Sequence, residues 1–193
     1  MSEADTGRLV VVSNRVAVPR AGNAASGGLA VALRTALGAR GGVWFGWNGR
    51  TTPQRPAAPK RVRHDGVDYV TLPLSSRDYE EYYQGFANRV LWPLMHYRLA
   101  LVHYRRRFFE GYRRVNAWFA GHLMEELRPG DTLWIHDYHF VPMAMEVRAR
   151  GFTGPIGFFL HTPFPPLDIL RSMPPRREFL HWLCAYDLIG FQT

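Results

Sequence analysis

Three short polar clusters follow directly on apolar runs: Ser13-Asn14-Arg15, His136-Asp137-Tyr138-His139 and His161-Thr162. Each carries residue types that bind or move charge. Arg15 offers a planar guanidinium that can fork two hydrogen bonds onto a phosphate, although composition alone reads it equally as a surface arginine. Asp137 can accept hydrogen bonds from sugar hydroxyls or hold a cation, and His161 can donate to a hydroxyl or to developing charge. A single histidine at a strand end is more often a satisfied structural group, so His161 draws its weight from its neighbours. Pro163, Pro165 and Pro166 stiffen the segment that follows it. In Ser26-Gly27-Gly28, free N–H groups at a helix start can face an anion with no Cβ in the way; the same pair also suits a tight loop-to-helix turn. Neither GxGxxG nor GxxxxGK[ST] occurs, which takes support from nicotinamide-dinucleotide and P-loop readings. His136, His139, His161 and His181 lack the HExxH pairing and no CxxC accompanies them, so no metal is expected.

The elements around these clusters explain their placing. Residues 9–12 are a continuous apolar run, three of the four valine, as suits a strand buried on both faces. Residues 29–37 then read as a helix, with Leu29, Leu33 and Leu37 on one side. Further strands are expected at 42–47, 68–72, 132–135, 156–160 and 188–191, and further helices at 76–96, 104–127, 141–150 and 176–186. The stretch 50–64, rich in Pro, Thr and Arg and without periodicity, reads as an exposed, mobile loop. This alternation predicts an α/β fold with a doubly wound, mostly parallel, Rossmann-like sheet. In such sheets ligands bind beyond the carboxyl ends of the strands near the switch point, where the three polar clusters fall.

Composition sets the outer limits. At 193 residues, 47% hydrophobic and 14% aromatic, the chain suits one domain with one well-filled core. A formal net charge of +8 makes an anionic partner plausible. The arginine groups at 105–107, 113–114 and 176–177 can track phosphates, but no nucleic-acid motif accompanies them, so they read as solvated faces and nucleic acid is not expected. Cys184 stands alone and cannot form an internal disulfide. The acidic, turn-forming N-terminus and the lack of a long uncharged apolar run predict a cytoplasmic protein with no membrane insertion. Tyr82-Tyr83, Trp92 and His96-Tyr97 form an aromatic stretch, part core and part candidate sugar-stacking surface.

The strings RLVVVSNRVAVP (8–19), SGGLAVAL (26–33), GGVWFGWNG (41–49), EYYQGFANRVLWPLMHYR (81–98), DTLWIHDYHFVPMAMEVR (131–148) and IGFFLHTPFPPLDILRSMP (156–174) closely resemble the trehalose-6-phosphate synthase family. The resemblance runs in order from Arg8 to Thr193. It implies a retaining, metal-free glycosyltransferase of GT-B type, with two Rossmann-like domains facing across a cleft. Glucose passes from UDP-glucose to glucose 6-phosphate, giving trehalose 6-phosphate and UDP. Carried over by motif, Arg15 and Tyr83 grip the acceptor phosphate, Asp137 binds acceptor hydroxyls and Trp92 shapes the acceptor pocket. Gly27 and Gly28 face the donor diphosphate, and His161 sits beside the donor glucose. The catalytic candidates are therefore His161 and Asp137. Attack occurs on the same face, with the leaving diphosphate helping to take the acceptor's proton, so no protein nucleophile is required.

The resemblance divides the chain into a disordered N-terminus, residues 1–7, and a truncated N-terminal acceptor-binding domain, residues 8–193, with the nucleotide-sugar-binding C-terminal domain absent. Such a fragment is expected to be inactive alone, because transfer needs both substrates oriented. Thr162 replaces the Ile or Val of some relatives. The alternatives are a glucosylglycerol-phosphate synthase-like transferase and a non-catalytic sugar-phosphate-binding or regulatory fragment. UDP, ADP and GDP donors stay open. So does a homo-oligomer, since an uncovered interdomain face predicts self-association.

Overall fold

A computed structural model describes residues 7–19 and 28–192. Seven strands form one sheet: β1 (Leu9–Arg15), β2 (Gly42–Thr52), β3 (Lys60–His64), β4 (Val67–Ser75), β5 (Thr132–His136), β6 (Ile156–Leu160) and β7 (Leu188–Phe191), in the order β3-β4-β2-β1-β5-β6-β7. All neighbouring pairs are parallel except β3 with β4. The chain leaves β1 toward β2 and returns on its other side as β5. The switch point therefore lies at β1, between its two partners.

Burial on both faces explains the unbroken valine run. Val10 and Val12 join the larger core with Val43, Phe45, Leu133 and Ile135; Val11 points the other way, into a smaller core with Trp44, Tyr69, Leu33 and Leu37. The smaller core is closed by α1 (Gly28–Arg40). The larger one is covered by α4 (Arg106–Met124), where Phe108, Tyr112, Val115, Phe119 and Leu123 are buried at the spacing read from the sequence. α5 (Met143–Ala149) and α7 (Arg176–Leu183) occupy the other expected helical stretches, and a short α6 (Leu167–Arg171) adds a turn that was not expected.

Two expectations are corrected. Residues 50–64 are not a free loop: β2 continues to Thr52, and β3 is an antiparallel edge strand on β4. A tight Asp65-Gly66 turn joins β3 to β4, with φ of 49° and 76°, the left-handed pair that such hairpins require. β3 shows no apolar alternation because it lies at an edge, where only Val62 packs inward and the flanking Arg61 and Arg63 pair with Glu126 and Asp68. The second correction concerns 76–96, which is not one α-helix. A single turn, α2 (Ser76–Asp78), leads into a π-helix over Tyr79–Leu91, followed by α3 (Trp92–Met95). Among the described residues no helix is long and apolar enough to cross a membrane. Apart from Gly7, the expected disordered segment 1–7 lies outside the described residues.

Candidate active site at the switch point

The carboxyl ends of β1, β2, β5 and β6 bring most of the candidates to one edge. Arg15 ends β1, and its guanidinium lies over the Trp47 ring at 5.1 Å. It has no acidic partner among the described residues. Gly49 makes this position possible: at φ +80°, a Cβ there would fall 2.4 Å from Arg15 Cζ. Trp47 also meets Tyr83 at 5.0 Å and Tyr79 at 5.7 Å, and Tyr83 stacks on His139 at 5.9 Å. Arg15, Trp47, Tyr83 and His139 therefore form one continuous wall. Tyr82, the neighbour of Tyr83, faces the core; its hydroxyl donates to Asn14 Oδ1 at 2.9 Å, tying the π-helix to the end of β1.

Asp137 stands where β5 gives way to the turn Tyr138–Phe140, at φ 72° and ψ 165°. For a residue with a side chain this backbone is strained by about 1–3 kcal/mol, and the surroundings must hold it. Its N–H donates to Phe159 O at 2.8 Å. Behind it, Tyr112 Oη donates to Tyr138 O at 2.6 Å and accepts from Val141 N at 3.2 Å, while Asn116 Nδ2 donates to His139 O at 3.2 Å. Helix α4 thus pins the loop. Asp137 Oδ1 and His139 Nδ1 are both buried without hydrogen-bond partners among the described residues, and Oδ2 lies 3.8 Å from His139 Nδ1. A buried carboxylate oxygen without a donor is costly, and a ligand hydroxyl would satisfy it. Burial pushes His139 down to about 4 against the opposing charge of Asp137, so the ring is neutral near pH 7.

Across the β5–β6 boundary, His136 Nδ1 at the end of β5 and His161 Nε2 just after β6 are 3.0 Å apart. Burial, and then the neighbouring His161, lowers His136 to about 3; burial also lowers His161, against Asp137.

Of the predicted residues, Arg15, Tyr83, Asp137 and His161 come to the switch-point edge. Trp92 is more than a third exposed and stacks on His96 at 4.3 Å, without a ring contact to the Trp47–Tyr83–His139 wall. Its turn is joined to the His161 loop through Thr162 Oγ1, 3.1 Å from Met95 Sδ. Gly28 opens α1, whose start lies at the carboxyl edge because the helix connects parallel strands. Gly27 lies outside the described residues. Sequence reasoning missed Trp47 and Gly49 as site components, and it placed His136 in a strand-end cluster without assigning it a role of its own. For Trp47 the available signal was an aromatic residue late in a strand, next to Asn-Gly. Among the described residues no group of three or more His, Cys, Asp or Glu side chains is placed to hold a metal ion.

Comparison with known proteins agrees with this architecture. The family model for glycosyltransferase family 20 matches residues 7–193. A curated trehalose-6-phosphate synthase of Klebsiella pneumoniae is 51% identical over 187 residues, covering 96% of this chain and 39% of its own length. A Burkholderia xenovorans alpha,alpha-trehalose-phosphate synthase (UDP-forming), solved in complex with glucose-6-phosphate, superposes with a TM-score of 0.89 at 49% identity over 97% of this chain and 40% of its own. An E. coli structure described as bound with UDP-2-fluoro glucose gives a TM-score of 0.91 at 48% identity, with coverage of 97% and 40%. The chain thus spans about two-fifths of the length of these relatives. With the family match unbroken from residue 7 to residue 193 and about half the residues shared on the same fold, the chain belongs to glycosyltransferase family 20.

Proposed function

We propose that this chain is the acceptor-binding part of an α,α-trehalose-phosphate synthase (UDP-forming), acting with a donor-binding part to move glucose from UDP-glucose to glucose 6-phosphate. The observation that carries the reading is the switch-point edge itself. An arginine free of acidic partners among the described residues lies on the Trp47–Tyr83 wall, and the adjacent strand presents the unpartnered Oδ1 of Asp137. One end of that edge suits a phosphate and the other a sugar hydroxyl.

In this reading Arg15 forks onto the acceptor phosphate, Tyr83 adds its hydroxyl, and Asp137 accepts from acceptor hydroxyls. Trp92 shapes the pocket for the acceptor anomer, Gly27 and Gly28 face the donor diphosphate, and His161 donates at the donor glucose. Both sugars held in register supply much of the rate through orientation. The bond from glucose to the diphosphate breaks as the acceptor hydroxyl bonds on the same face, and that hydroxyl's proton passes to the leaving diphosphate. The reaction is read as metal-free; an unchanged rate in excess chelator is the check. The names and bound ligands of the related structures support the substrate pair.

Calorimetric titration with glucose 6-phosphate, glycerol 3-phosphate and UDP-glucose tests the acceptor reading. Glucose 6-phosphate should bind, and Arg15→Ala should weaken it by at least about tenfold through loss of a charge-assisted pair. Tighter binding of glycerol 3-phosphate would move the reading to a glucosylglycerol-phosphate synthase.

A further inference from the structure

We propose that His136 is a positioning residue for His161: it donates its Nδ1–H to His161 Nε2, so that His161 stands as its Nδ1–H tautomer and offers that N–H to a ligand. The two nitrogens are 3.0 Å apart, and the rings lie 5.3 Å apart at 22°. Two neutral imidazoles meet in this way when a single proton lies between them, and the question is which ring carries it.

The other nitrogen of His136 decides. That Nε2 is buried and has no hydrogen-bond partner among the described residues. An orphaned buried N–H is rarer and more costly than an orphaned lone pair, so the bare nitrogen belongs at Nε2 and the hydrogen at Nδ1. His136 is then the donor and His161 accepts at Nε2. The one proton of a neutral His161 is left on Nδ1, where no hydrogen bond holds it among the described residues.

The surroundings favour this pair. The Trp134 ring lies 4.4 Å from His136, and Phe159 lies 4.8 Å from His161, so aromatic faces flank both rings. The charge that acts on His161 is that of Asp137, on the same edge. Burial keeps His136 uncharged near neutral pH, which preserves its lone pair at Nε2. The catalytic meaning rests on the proposed function: an N–H beside the donor glucose can donate to an oxygen on which charge develops, whereas a bare ring nitrogen can only accept from a hydroxyl.

Nitrogen-15 labelling of the histidines and a long-range proton–nitrogen correlation near neutral pH read the tautomers without any turnover. Both His136 and His161 should show a protonated Nδ1 and a bare Nε2, the His161 signals being identified by their loss in His161→Gln. His136→Asn keeps a donor at the δ position and should keep the Nδ1–H form; His136→Leu should release His161 to the Nε2–H form. A protonated Nε2 on His161 in the unsubstituted protein overturns the proposal, as does an unchanged tautomer in His136→Leu. If the leucine variant does not fold, the unsubstituted spectrum and the asparagine variant still decide. In a protein that carries this chain and performs the transfer, His136→Leu should lower kcat about tenfold with an unchanged KM for glucose 6-phosphate. An unchanged kcat removes the positioning role. Complete lack of transfer in the unsubstituted protein counts against the proposed function and leaves the tautomer result standing.

Discussion

Arg15 is held by its setting and not by a counter-charge, and Gly49 is the residue that leaves room for it. Gly49→Ala should push the guanidinium off the Trp47 face and weaken glucose 6-phosphate binding about tenfold, with about 1 kcal/mol lost from stability through the positive φ. An unchanged dissociation constant would show that Arg15 does not need that seat. Asp137 carries the opposite trade. Asp137→Gly relieves a strained backbone and removes an unsatisfied buried oxygen, so the variant should be more stable by about 1 kcal/mol while its hold on the acceptor sugar is lost. Thermal unfolding beside titration separates the two effects. The buried histidines set an acid limit: with His139 at about 4 and His136 at about 3 in the folded state, the unfolded chain takes up protons first as pH drops below 6.5. Their contribution is complete above that value and fades below it, by about 1.4 kcal/mol per pH unit for each ring. His139→Gln should flatten the slope by one such share in denaturant titrations between about pH 6 and 4. Arg15, Asp137 and His161 were legible because each belongs to a short polar cluster that begins directly after an apolar run. Trp47 was not, since an aromatic still within a strand reads as core until its neighbours across the sheet are known; His136 was seen in its cluster, but its pairing with His161 needed the β5–β6 register.

At the level of elements, the π-helix presents Tyr83 to the site, and its entry is fastened by ions. Asp78, almost fully buried, takes a bidentate pair from Arg55 and a further contact from Arg114, which also holds Glu81. Burial alone would raise the Asp78 carboxyl, but hydrogen bonds from Arg55, Ser75 and Arg114 outweigh it and hold it below its ordinary value. Asp78→Ala should cost about 2 kcal/mol, less than a fully buried pair because both arginines reach water, and should speed amide exchange along Tyr79–Leu91. Unchanged exchange there would mean that the helix is fastened elsewhere. The π geometry could not be read from the chain, because apolar residues still recur every three or four positions while the hydrogen bonds reach one residue further. β3 could have been read: Asp65-Gly66 is a two-residue hairpin turn, hidden only by the lack of apolar alternation at a charged edge.

For the whole molecule, the basic excess is distributed differently from what its total suggests. Arg106 pairs with Glu110, Arg107 with Glu80, and Arg114 with Asp78 and Glu81, so much of the arginine run on α4 is neutralised in place. Binding to DNA should accordingly be weak and show only a shallow salt dependence; a steep slope of affinity against salt would contradict this. The fold class was legible because both-face-buried strands and intervening helices repeat along the chain, which is a global pattern. The switch point at β1 has a kinetic consequence as well. β1 pairs with β2 some thirty residues away, but with β5 at a far greater separation, Leu9 opposite Thr132. The segment from β1 to β4 can collapse through nearby contacts, whereas the β1–β5 seam must wait for a long loop closure. Arg15 and Asp137 stand on opposite sides of that seam, so the ligand crevice forms only once this non-local closure is made.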